Sequence, residues 1–135
     1  RFGGTTNRLF VVDTSPFPDI ESANEQLLVL REKDANASFN PESTALLEKL
    51  CQDIGFSYLF KNRYVEAENE KLVASGQSPN SLGSTELGRI IAASNGLVDG
   101  TTLQIPTTGY HTMHESASIA SINAFLTMLT AIANL

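Results

Sequence analysis

The stretch NPESTALLEKLCQDIGFSYLF, residues 40–60, carries a helix start, a helix stop and a strand in immediate succession. Asn40 can cap, and Pro41 suits the first helical position because its missing N–H would be unpaired there anyway. Glu42 complements the positive end of the helix dipole. Leu46, Leu47, Leu50, Cys51 and Ile54 then recur at helical spacing on one face, and Gly55 supplies the stop. Phe56-Ser57-Tyr58-Leu59-Phe60 follows as a strand. With the polar loop Lys33 to Phe39 before it, this is the loop, helix and strand unit of an α/β fold.

Upstream, Arg8-Leu9-Phe10-Val11-Val12-Asp13 reads as a buried strand with Asp13 at its C-terminal edge. The prolines of Thr14-Ser15-Pro16-Phe17-Pro18-Asp19 are expected to end it, since proline removes ladder donors. Leu27 to Glu32 is a second apolar run with strand character. Downstream, Val65 to Ala74 has room for a helical turn or two, and Gly76 to Ser81 is a loop by composition. A further helix starts at Ser84 or Thr85, with Leu87, Ile90, Ile91 and Ser94 on one face and Asn95-Gly96 at its end. Thr101 to Ile105 alternates as a strand that Pro106 ends. A last helix runs from a Ser118 cap to Asn134. Its Ile119, Ile122, Phe125, Leu126, Leu129 and Ile132 form an apolar stripe expected to be core, with a partner helix as the lesser alternative. There are no internal repeats and no linker. The expected fold is α/β, with helices packed on a mixed or mostly parallel sheet in three layers and residues 1–135 as one domain.

The composition narrows the function. The chain has 135 residues, 9 Lys+Arg against 15 Asp+Glu, a net charge of −6 and 41% apolar residues. That acidic balance argues against nucleic acid, whose phosphates demand clustered cations. No apolar run approaches a membrane span or the core of a signal peptide. The single cysteine, Cys51, cannot form an internal disulfide and fits a cytoplasmic location. It sits on an apolar helical stripe, which favours a buried structural thiol over a nucleophile. Glu66, Glu68 and Glu70 read as a solvated face rather than an acid/base pair. The turn Gly83-Ser84-Thr85-Glu86 opens a helix, but Glu86 argues against a phosphate there.

In open α/β sheets chemistry gathers in loops at strand ends, and two such loops hold metal-capable side chains. One is Val12-Asp13-Thr14. The other, Ile105 to Glu115, contains both histidines of the chain, His111 and His114, and Glu115. Imidazole and carboxylate are the usual ligands of zinc or cobalt. Loop histidines that merely hydrogen-bond, and a strand-end aspartate that only caps a turn, remain the plainer alternatives.

Four segments in order carry a resemblance: Val12-Asp13-Thr14; Leu28 to Asp34 followed by Asn40-Pro41; Gly83-Ser84-Thr85-Glu86-Leu87-Gly88; and Ile105-Pro106, His111, Glu115 and a capped amphipathic helix. Together they resemble the C-terminal portion of the di-metal aminopeptidases of the glutamyl and deblocking, tetrahedral-particle family, from about Leu9 to Ile132 without residues 61–82. The resemblance implies the C-terminal half of a zinc-exopeptidase catalytic domain and a cytoplasmic metallopeptidase that binds two zinc or cobalt ions and peptide substrates. It also implies a homo-oligomer. Asp13 would be the terminal carboxylate of one metal, and His111 the imidazole of the other. Glu86 and Tyr110 would orient ligands; His114 matches no family ligand and would support one, face substrate or stand idle. Thr108 and Gly109 stand where many members carry Arg-Tyr. The family's first histidine, bridging aspartate and Glu-Glu pair precede the Asp13 position, and residues 1–12 contain no His, Asp or Glu. The expectation is therefore a fragment of a larger catalytic domain, inactive alone. The alternative is a non-catalytic binding or assembly domain that retains the peptidase fold.

Overall fold

A computed structural model describes residues 8–135. Four strands, β1 (Arg8–Pro16), β2 (Leu28–Leu30), β3 (Tyr58–Phe60) and β4 (Asp99–Thr107), form one sheet in the order β1-β4-β2-β3. β1 runs parallel to β4 and β2 parallel to β3, while β2 and β4 are antiparallel. The helices are α1 (Ile20–Asn24), α2 (Pro41–Ile54), α3 (Lys61–Ala74), α4 (Glu86–Ala93) and α5 (Ile119–Ala133). The protein is thus α/β, with helices on a mixed sheet.

The strand alternation divides the core between two faces. Leu28, Leu30 and Leu103 meet Leu47 and Cys51 of α2 and Ala124 and Met128 of α5 on one face. The opposite residues carry the other face: Val29 packs with Phe17, Ala23 and Tyr64, and Leu9 and Val11 with Phe39, Leu87 and Ile91. The caps act as the sequence predicts. Asn40 accepts the Ser43 N–H, Thr85 the Gly88 N–H and Ser118 the Ser121 N–H, and Gly55 ends α2 at φ +90°.

Several expectations are corrected. Neither proline stops its strand: β1 extends through Pro16 and β4 through Thr107. The Phe17 N–H donates to the Thr107 carbonyl, so the nitrogen of Pro16, one residue earlier, points outward from the sheet edge. By the same alternation the Pro106 nitrogen points toward β2, whose pairing with β4 is confined to Leu103 and Gln104. No ladder bond is lost at either site. Asp13 therefore lies within β1, opposite Gln104, rather than at a strand end. The region after β3 is a full helix of 14 residues that begins at Lys61. On α5 the fully buried line is Ser121, Ala124 and Met128, with Phe125, Leu129 and Ile132 half-buried beside it. Ile119, Ile122 and Leu126 are exposed. The small side chains of Ser121 and Ala124 let the helix approach the sheet, and close packing selects them over bulk.

Candidate functional site: a buried cationic face beside Asp13 and Tyr110

Asp13 lies on the same side of the sheet as Val11 and Ser15, and its register neighbour Gln104 lies on that side of β4. Asp13 is exposed, and its Oδ1 accepts the Thr14 N–H at 2.7 Å. Gln104 is buried, and its Oε1 accepts from Nε of Arg31 at 3.0 Å. Arg31 follows β2 directly and is only 5% exposed. Its Nη1 donates to the Leu82 carbonyl at 2.7 Å, which ties the segment before α4 to the sheet. Burial holds the guanidinium below its ordinary value; the charges of Asp34, Asp13 and Tyr110 act against that shift.

The loop after β4 is closed by reciprocal backbone bonds between Thr108 and Ser116, both 2.9 Å. Gly109 at φ +70° and His111 at φ +58° turn it sharply. The His111 ring stacks on Tyr110 with centroids 3.7 Å apart and planes 24° from parallel. Thr107 Oγ1 donates to Glu115 at 3.0 Å, so this carboxylate braces the base of the loop. His114 is exposed; its N–H donates to Thr112 Oγ1 and its carbonyl accepts from Ser116 Oγ.

Glu86 occupies the first turn of α4 and is exposed. The carboxylate that organises this turn is Asp34. Its Oδ2 accepts both the N–H and the hydroxyl of Thr85 at 2.7 Å, and its Oδ1 accepts the N–H groups of Asn36 and Ala37. Burial alone would raise this carboxyl, but those four bonds hold it below the ordinary carboxylate range. The cradle is so tight that a Cβ on Gly88 would lie 2.1 Å from the Asp34 carboxylate.

Of the residues singled out from sequence, the structure brings Tyr110 and His111 into one stack and places Asp13 on the side of the sheet that carries Gln104 and Arg31. No hydrogen bond or ion pair among the described residues links the side chains of Glu86 or His114 to this group. Among the described residues, no three or more His, Cys, Asp or Glu side chains gather so as to hold a metal ion. Asp13 and His111 do not by themselves make a metal site.

Sequence reasoning missed two groups on this face, Arg31 and Lys61. Lys61 is 7% exposed, donates to the Pro16 carbonyl and lies over the Phe17 ring, with Nζ 3.6 Å from its centroid. Tyr64 adds a second ring at 5.2 Å. Burial, together with the charge of Arg31, pushes the ammonium down to about 8. The available signal was position, because each cation immediately follows a run of three strand residues. Cys51 is fully buried within the core, and burial pushes its thiol up to about 11, as an inert structural thiol requires. Glu66 pairs with Lys33 and Glu68 with Lys71 at the surface.

No family model, curated protein or solved structure matches the chain.

Proposed function

We propose that this chain is part of a metal-dependent, aminopeptidase-like hydrolase that removes N-terminal residues from peptides, with Asp13 and His111 as its contribution to a di-metal centre of zinc or cobalt. The observation that supports this reading most is the placement of Asp13 on the Gln104 and Arg31 side of the sheet, with the His111 ring held against Tyr110 in the loop after β4. It is joined by the four segments in family order. The described residues fall short of a metal site, so the remaining ligands and the general base would come from other sequence, and no step of catalysis is assigned to this chain. Tyr110 would fix the His111 ring by stacking.

A second reading, a binding or assembly domain, draws on the exposed apolar residues Phe10 and Val12 of edge strand β1 and Ile119, Ile122 and Leu126 of α5. Homo-oligomer formation fits either reading. The two separate in a polypeptide that carries this chain with the sequence before it. Metal-dependent cleavage of aminoacyl-anilides should collapse in Asp13→Asn and His111→Ala, while the isolated chain should be inactive. Full activity in both variants, or metal-dependent activity that follows the isolated chain through purification, would overturn the peptidase reading.

A further inference from the structure

A cavity of about 190 Å³ lies outside the carboxyl ends of β2 and β3, lined by Glu32, Phe39, Phe60 and the flank of α2. In open α/β sheets, ligands gather at that end of a parallel strand pair. Because β2 and β4 are antiparallel, the loop after β4 lies toward the other end of the sheet. On α2 the lining residues Pro41, Thr44, Ala45 and Glu48 recur at helical spacing, so one stripe of the helix forms a wall. Phe39 and Phe60, both buried, add two phenyl rings.

The polar groups of this lining select the sign of an occupant. No Lys or Arg lines the cavity, and Pro41 presents no N–H, so an anion finds no donor there. Thr44 Oγ1 is already committed to Thr101 and to the Arg31 carbonyl. Glu32 is saturated by donors from Asn62 and Arg63, and its charge matches that of Arg63. Glu48 differs. Its Oε1 accepts the Tyr58 hydroxyl at 2.8 Å, and Tyr58 in turn accepts from Gln52, a relay that orients the carboxylate. Its Oε2 has no hydrogen-bond partner among the described residues, and Glu48 takes part in no ion pair there.

A cation is therefore attracted twice, by the Glu48 carboxylate and by the phenyl rings, whose faces are electron-rich. The Arg63 guanidinium, 4.2 Å from the Phe60 centroid, already uses that attraction. The scarcity of acceptors decides which cation fits. A primary ammonium brings three N–H donors, and one open side-chain oxygen does not replace the water they lose. A quaternary ammonium carries no N–H. We propose that this cavity binds a small quaternary ammonium group, with Glu48 as its counter-charge and Phe39 and Phe60 as its aromatic walls. The site uses neither Asp13 nor His111 and requires no metal, so it stands independently of the peptidase reading.

The test is titration of the 135-residue chain with tetramethylammonium, methylammonium and the neutral tert-butanol at constant ionic strength, followed by amide and methyl NMR. Tetramethylammonium should show saturable one-site binding, with shifts centred on Phe39, Ala45, Glu48 and Phe60, and should bind several-fold tighter than either of the other two. Glu48→Gln, which keeps the side-chain shape, should weaken it about fivefold or more. Phe39→Leu should weaken it a few-fold. Absence of saturation by tetramethylammonium at tens of millimolar overturns the proposal. So does equally tight binding of methylammonium or tert-butanol, which would mark a cleft without selection for the quaternary cation, and so does binding that Glu48→Gln leaves unchanged. The ranking of the three probes on the unmodified chain supplies the comparison even where a variant fails to fold.

Discussion

Lys61 makes the stability of this protein depend on alkaline pH in a direction opposite to that of the buried thiol of Cys51. The ammonium is taken from an ordinary value of 10.5 to about 8. That fall makes its charged form about 3 kcal/mol costlier in the folded than in the unfolded chain. Below pH 8 both states are protonated and the full cost is present. Between about 8 and 10.5 the unfolded chain binds more protons, so stability rises with pH. Above 10.5 both states are neutral and the gain is complete. Cys51 runs the other way: its thiol is raised from 9.0 to about 11, so the stability it confers is present below 9 and fades as pH climbs through that window. Tyr58 and Tyr64, both raised, act in the same sense as Cys51. The raw pH profile therefore sums opposing contributions, and the Lys61 contribution emerges as a difference. Urea denaturation of the wild type and of Lys61→Met, each from pH 7 to 10.5, should give curves whose separation changes by up to about 3 kcal/mol in favour of the wild type. The Pro16 carbonyl bond and the two aromatic faces are lost in the variant at every pH, so they displace the difference curve without tilting it much. A difference that stays level across this range would refute the burial argument for Lys61.

Asp34→Ala strands four donors, and thermal or urea unfolding should show a loss of about 3 kcal/mol or more. Because the native carboxyl is depressed, its stabilisation is present above the unfolded value of 3.8 and is lost as pH falls through the folded one; the variant should show a weaker acid dependence there. On α5, Leu126→Gln should change stability by no more than about 0.5 kcal/mol, whereas Ala124→Leu should cost about 1–3 kcal/mol through overpacking. The opposite ranking, read from urea midpoints, would restore the bulky stripe as the core.

Local chemistry made much of the architecture legible. The Asn40 cap, Pro41 and Gly55 bound α2 because each acts on backbone groups within a few residues of itself. The short apolar runs gave away the strands, and their alternation with helices the α/β class. What periodicity left open was the choice among equivalents. The apolar arc of α5 spans more than half of the helix, opposite the polar line Asn123, Thr127 and Thr130, so periodicity leaves open which part is buried, and the proximity of β4 and α2 selects Ser121 and Ala124. The prolines misled for a related reason: whether a missing N–H matters depends on which neighbour lies across the strand, and Pro16 and Pro106 both face positions where no ladder bond is due.

The candidate site divides along the same line. Asp13, Tyr110 and His111 were visible in sequence as residue types in strand and loop positions suited to chemistry. That Asp13 sits opposite a glutamine holding a buried guanidinium was not visible, because Arg31 reaches Gln104 across 73 residues of chain. Nothing in the sequence singled out Lys61. Its burial follows from Phe17 and Tyr64 closing over it, from segments on either side of two strands. By itself the sequence determined most of the elements, the caps of α2, α4 and α5 and the acidic character of the chain, since these depend on neighbours a few residues apart. Tertiary structure alone decided which charges lose their water, because desolvation is a property of everything packed around a group.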